Sequence, residues 1–240
     1  LDDRLGLSPL ELQRHPQDVA LPLPVTESVL ADKPQHRIER PVHDLMPKDD
    51  RWGFRMAEPK LLYNQGELYN LRVGYGTLTE EERFKINQHI VQTEVMLRQL
   101  PFPPHLTHVP EIAAGHHEKM DGTGYPKGLH HEQLRPETRM LAIADIFEAL
   151  TASDRPYKKP KKLSEAIEIL NRMSQRGHID PALFTLFLSS GVYRVYAERF
   201  LDPSQIDDVP VTTYLAATDG TRLAQRADPA VARTLASSSA

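Results

Sequence analysis

From Thr79 onward the chain takes on helical periodicity. Ile86, Ile90, Thr93, Leu97 and Leu100 recur at i+3/i+4 spacing. Thr79 and Glu82 read as a capping box, and the PFPP run at 101–104 stops the helix near Leu100. His89 borders this apolar stripe, placing it at the edge of a buried face rather than in open water. A short helix is predicted from Pro110 to about His117, and another from Pro136 to about Ala149. Within the latter, MLAIADIFEAL (140–150) is apolar on nearly every side, the mark of a buried helix. Leu163–Arg176 reads as amphipathic, with Ser164 as cap and Ala166, Ile167, Leu170 and Met173 inward. Pro181–Ser190 and Val192–Phe200 follow, separated by Gly191.

Residues 1–75 break this pattern. Prolines at 9, 16, 22, 24, 34, 41, 47 and 59 leave only Ser8–Arg14 as a short helix. Leu21, Val25, Leu30 and Leu62 predict that the segment packs against something. Strand signals are scarce. The expected fold class is therefore all-α, a helical bundle with a proline-rich, mostly non-helical N-terminal arm. The expected division is an arm or insertion at 1–75, a helical domain at 76–205, and an extension at 206–240 whose end is predicted to be disordered.

Composition changes this picture little. The 240 residues are 40% hydrophobic and 26% charged, which suits a folded chain with a proper core. A net charge of −4 gives no overall basic character and argues against a duplex nucleic-acid binder. Cysteine is absent, which excludes disulfides, thiolate ligands and a cysteine nucleophile, and suits the cytoplasm. No apolar run is long enough for a membrane span. The chain opens without Met, so it reads as a piece of a longer protein whose upstream part can carry an anchor.

The candidate chemistry lies between Gly115 and Lys159. Asp145 is a single acid in an apolar helix, and a buried carboxylate needs a cation, several hydrogen bonds or a raised pKa. It could hold a metal, or simply cap a neighbouring helix or pair with an arginine such as Arg139. His116–His117 offers imidazole nitrogens, which with a carboxylate suit iron, manganese, nickel or zinc; the alternative is a solvated helix end. Together with His89 these residues fall in three helices of one bundle, where such metal sites are built. The DGTGYP loop has glycines that permit close approach to a ligand, and Tyr125 adds a stacking face and a hydroxyl. Arg155, Lys158, Lys159, Lys161 and Lys162 form a basic cluster that could meet phosphate, although Lys161 and Lys162 suit a solvated loop better.

The strings HHEKMDGTGYPKGL, ADIFEALTASDRPYKKPKKLSEA and GHIDPALF, with GTLTEEERFKINQH before them, resemble the HD-GYP branch of the HD-domain phosphohydrolases over roughly 76–188. That resemblance implies hydrolysis of cyclic di-GMP to pGpG or GMP in bacterial signalling, with two or three divalent metals, iron or manganese. By position, His89, His116, His117 and Asp145 match metal ligands, with Asp145 and His117 at the catalytic centre. Gly122, Gly124, Tyr125 and Pro126 match the signature loop, and Arg155 and Lys158 match positions that hold substrate phosphate. The loop also implies contacts with GGDEF-type partners, and a homodimer is a candidate assembly. One departure stands out: the family's namesake HD dyad, normally followed by xGK, is not evident. The only HD pair before His89 is His43–Asp44, which lacks the GK and lies among prolines. The dyad is expected upstream, and a catalytically inactive module that binds cyclic di-GMP or a partner is the rival reading.

Overall fold

The computed structural model describes residues 28–215 apart from 48, 50, 75 and 154–158, together with residues 9, 13, 24 and 26. The chain divides into two compact units, residues 1–95 and 96–240. The expected helix at Ser8–Arg14 falls outside the described residues except at positions 9 and 13, as do Leu21, Val25, Arg155, Lys158 and the end of the C-terminal extension.

The first unit contains more regular structure than its prolines suggested. Strands β1 (Arg37–Glu39) and β2 (Leu61–Asn64) pair antiparallel, with Ile38 opposite Tyr63 and an irregularity at Glu39. Arg40, its side chain 2% exposed, ties this pair to the rest of the unit. Its guanidinium donates to Asp44 at 2.5 Å, Pro59 O at 3.2 Å and Leu61 O at 3.0 Å, and lies 4.7 Å from the centroid of the Phe84 ring. Helix α1 (Glu67–Leu71) follows, and the Tyr69 hydroxyl reaches Glu81 at 3.0 Å.

Helix α2 (Glu80–Leu97) opens as the sequence predicted. Thr79 N donates to Glu82 Oε2 at 2.9 Å, and Glu82 N to Thr79 Oγ1 at 3.3 Å. Its buried stripe, however, runs through Glu81, Phe84, Gln88, Val91 and Glu94, with Ile90 also buried, while Ile86 is 55% exposed and Leu100, beyond its end, 51%. The stripe includes polar residues because Gln88 donates to Asp44 O at 2.8 Å and Tyr69 bonds Glu81. The expected stripe is therefore only partly right: Ile90 is buried, Thr93 and Leu97 are half-buried, and Ile86 and Leu100 are exposed.

The second unit is helical: α3 (Val109–Ala114), α4 (Pro136–Thr151), α5 (Leu163–Gln175), α6 (Pro181–Ser189) and α7 (Val192–Phe200). Its core joins Ile143 and Phe147 of α4 to Leu163, Ala166, Ile167 and Leu170 of α5, and to Phe184, Leu188, Tyr193 and Ala197. Asp180 caps α6 by accepting from Ala182 N at 2.7 Å and Leu183 N at 3.1 Å. Gly191, at φ 72°, makes the left-handed turn into α7. Ser164 does not cap α5 itself; Asp207 accepts from its amide at 2.8 Å and its hydroxyl at 2.7 Å, a contact from 43 residues away. Helix α4 is not buried all round: Thr138, Ala142, Ile143, Phe147 and Thr151 face inward, but Met140 is 49% and Leu141 38% exposed. In class the chain is all-α, with one two-stranded sheet among the described residues. No described helix is long and apolar enough to cross a membrane.

Candidate functional site

The histidine pair lies in the turn that follows α3, not on a helix. The different directions of its two rings therefore come from the turn rather than from helical geometry. The rings lie 4.2 Å apart at 43°, and one nitrogen of each lies within 4.8 Å of the other. His116 Nδ1 is 2.7 Å from Ala113 O. A carbonyl can only accept, so Nδ1 is the donor there and Nε2 is the nitrogen left to face a metal. His89, an exposed residue of α2 in the first unit rather than one at a buried border, is held the same way, with Nδ1 2.6 Å from Ile86 O.

The glycine-rich loop packs directly onto the pair. Tyr125 N donates to His117 O at 3.2 Å, and the Tyr125 ring stacks on His117 at 4.8 Å and 25°. Gly122 takes φ +78°, where only glycine sits without strain, and a Cβ there would strike the His130 ring. Gly124 is required by contact instead: a Cβ would lie 2.6 Å from the Glu118 carbonyl carbon and nearer still to Glu118 Cα and Lys119 N. Pro126 is buried, and the Tyr125–Pro126 peptide is cis. Asp121 closes the loop's start by accepting from Thr123 N at 2.9 Å and Oγ1 at 2.8 Å, which holds its carboxyl below the usual range. Met120 and Asp121 amides bond to His178 O and Gly177 O, so the GHID stretch forms the floor under the loop. Burial, reinforced by Lys119, pushes the His178 imidazole below its ordinary pKa.

Asp145 projects from α4 towards this loop. It is half-buried, not enclosed. Burial, with the Asp145 carboxylate adding to it, pushes the Tyr125 hydroxyl up to about 12, so Tyr125 is a proton donor and not a base near neutrality. The arginine considered as a partner for Asp145 is engaged elsewhere: Arg139 Nη1 pairs with Asp180, which is 3% exposed, and lies 2.7 Å from His131 Nε2. The second unit thus brings together His116, His117 and Tyr125, and Asp145 is near enough for its charge to act on Tyr125, although among the described residues it does not join the histidines in a compact ligand cluster. Paired imidazole nitrogens of this kind fit a first-row divalent metal. Glu118, Asp180 and His178 are the contributors that the residue pattern alone did not single out. Glu118 was visible as the third letter of HHE, but a glutamate after two histidines also reads as a solvated helix end.

These helices, with a histidine pair in the turn after α3 under a glycine-rich loop, make an all-α domain with a candidate metal-binding turn. The sequence pattern of the HD domain family matches residues 24–183, and the chain belongs to that family. It is similar to a cyclic di-GMP phosphodiesterase of Pseudomonas aeruginosa, 46% identical over 91 residues that make up 37% of this chain and 21% of that protein. It is also similar to a 3′3′-cGAMP-specific phosphodiesterase of Vibrio cholerae, 37% identical over 110 residues, 45% of this chain and 23% of the relative. A cyclic di-GMP phosphodiesterase of Thermotoga maritima is 41% identical over 101 residues, 41% of this chain and 26% of the relative. The chain thus matches about a quarter or less of the length of each of these relatives.

Proposed function

We propose that this chain belongs to a metal-dependent phosphodiesterase that opens a cyclic dinucleotide, cyclic di-GMP in the first instance, to pGpG or GMP. The observation that carries this reading is the stacking of Tyr125 on His117, with Asp145 near enough for its charge to act on Tyr125 and His116 Nδ1 spoken for by a carbonyl. In the proposal His89, His116, His117 and Asp145 hold two or three divalent ions, iron or manganese. Such ions lower the pKa of water towards neutrality and offset phosphodiester charge. The chain's own residues bind and orient. Tyr125 presents a ring face to the substrate and a hydroxyl that keeps its proton, and Gly122, Gly124 and Pro126 bring backbone close to the ligand. Arg155 and Lys158, outside the described residues, offset phosphate charge. The reaction adds water across a 3′ P–O bond, and the setting would be the cytoplasm.

A second reading, a non-catalytic module that binds cyclic di-GMP or a GGDEF-type partner through the same loop, has one observation in its favour. His43 is exposed in a single turn (Val42–Asp44), and the Asp44 carboxylate is taken by Arg40 and Lys85. This HD pair anchors α2 and offers no ready metal-bridging carboxylate. The test is to purify the chain alone and with whatever sequence precedes Leu1 in its gene. Metal content is measured, and each form is incubated with cyclic di-GMP and with 3′3′-cGAMP. Turnover with iron or manganese is expected for the longer form; binding without turnover in every form overturns the catalytic reading.

A further inference from the structure

Glu118 directly follows the histidine pair and is only 2% exposed. Its carboxylate accepts hydrogen bonds from three consecutive amides at the far end of the loop. Oε1 accepts from Lys127 at 2.7 Å and Gly128 at 3.1 Å, and Oε2 accepts from Leu129 at 2.9 Å. On its other side the Gly124 backbone presses against the Glu118 main chain, in a contact that leaves no room for a methyl group. Residues 124–129 therefore turn around Glu118, gripped by its side chain at one end and by its backbone at the other. Tyr125 lies within that turn, and its ring is the one stacked on His117.

We propose that Glu118 is a positioning residue of this site: its carboxylate fixes the 124–129 turn and so registers the Tyr125 ring on His117. The proposal rests on the phosphodiesterase reading above for its consequence in turnover, and on geometry alone for its consequence in the loop. Charge-assisted bonds from amides to a carboxylate are the stronger kind. Glutamine, of nearly the same volume, cannot replace them, because its one oxygen accepts but its NH2 would face an N–H donor. The residue acts through the loop and touches no reacting atom.

The test compares the whole chain with Glu118→Gln and Glu118→Asp, in the longest form that shows turnover. In Glu118→Gln the amides of 127–129 are expected to exchange with solvent at least about tenfold faster, as loss of bonds to a charged acceptor implies. The core amides of 163–170 keep their protection and metal content stays at the wild-type level. KM for cyclic di-GMP rises by about tenfold with kcat little changed, while Glu118→Asp, which keeps the charge, falls between. The ring resonances of Tyr125 and His117 shift together. Unchanged exchange at 127–129, or faster exchange with neither KM nor the ring resonances moved, overturns the proposal. Should Glu118→Gln also lose protection at 163–170, the Glu118→Asp data decide by the same criteria. If the wild-type chain turns over no cyclic dinucleotide, the functional reading fails, and the exchange and ring resonances still decide the role of Glu118.

Discussion

Substituting Gly124 with alanine puts the loop's packing to a quantitative test. Its Cβ would lie 2.6 Å from the Glu118 carbonyl carbon and closer to two further main-chain atoms. No rotamer relieves the clash, since every atom met is backbone. The turn must lift, or the peptide at 118–119 must move with the bonds it carries. Overpacking ordinarily costs about 1–3 kcal/mol, and a backbone-on-backbone overlap belongs at the upper end, about 3 kcal/mol. For a chain of this size that is a fall in Tm of roughly 6–12 °C. Gly122 supplies the comparison. Its φ of +78° costs alanine roughly 1–2 kcal/mol, and the His130 ring it would strike is an exposed side chain that can turn away. The expected order of destabilisation is Gly124→Ala greater than Gly122→Ala, measured by circular dichroism at 222 nm in urea and on heating. Hydrogen exchange at 124–129 reports whether the loop has lifted instead. The reasoning is refuted if Gly124→Ala stays within about 0.5 kcal/mol of wild type with an unchanged loop, or if Gly122→Ala proves the costlier.

Asp145→Asn is expected to cut metal bound per folded molecule by more than half while Tm moves by less than about 3 °C, because the residue is half-buried and the role proposed for it is to donate to a cation; a collapse of stability with metal content intact, read by melting and metal analysis, would show a structural acid. Asp180→Ala removes an N-cap and strands Arg139, whose side chain is 16% exposed. A loss of about 3–5 kcal/mol is expected in urea titration, and a loss under about 1 kcal/mol would contradict the pairing. His178 is held below its ordinary value of 6.5, so the folded state favours the neutral ring. The stability it contributes is complete above pH 6.5 and is lost as pH falls through its folded pKa. His178→Asn should therefore flatten the decline in urea midpoint between pH 7.5 and 5.5, and an equally steep decline would dismiss the idea.

Helices α5 to α7 were legible in the sequence because their burial is decided locally. Ala166, Ile167 and Leu170 are apolar, spaced for one face, and fully buried. The N-terminal cap of α2 was legible for the same reason, since Thr79 and Glu82 bond each other across a single turn. Illegible features depend on partners distant in the chain. Strands of three and four residues among prolines carry too little pattern to be recognised, and Arg40 holds them together through contacts 19 and 21 residues away. The buried side of α2 was only partly placed, because Gln88 is there to bond Asp44, 44 positions earlier. The cap on Ser164 comes from Asp207, and no window around Leu163 contains it.

The two acids of the site exchange the roles their surroundings in sequence suggest. Asp145 sits in a strongly apolar run, MLAIADIFEAL, which predicts a buried charge in need of a counter-ion. Yet α4 keeps Met140 and Leu141 exposed, and Asp145 is half-buried at the edge of the Tyr125 loop. Glu118 sits in the polar string HHEKMD, which predicts solvent, yet it is the enclosed carboxylate. Periodicity could not separate them, because what buries Glu118 is a loop folding back over it, and loops have no period. The difference sets what each acid can do. The three amides on Glu118 occupy its oxygens with fixed dipoles, so it is suited to hold backbone and ill-suited to take a metal. Asp145 is less enclosed and close enough to Tyr125 for its charge to be felt. Its partial exposure keeps it reachable by a ligand, so the exposure that departs from the buried-helix reading is compatible with the metal role proposed for it.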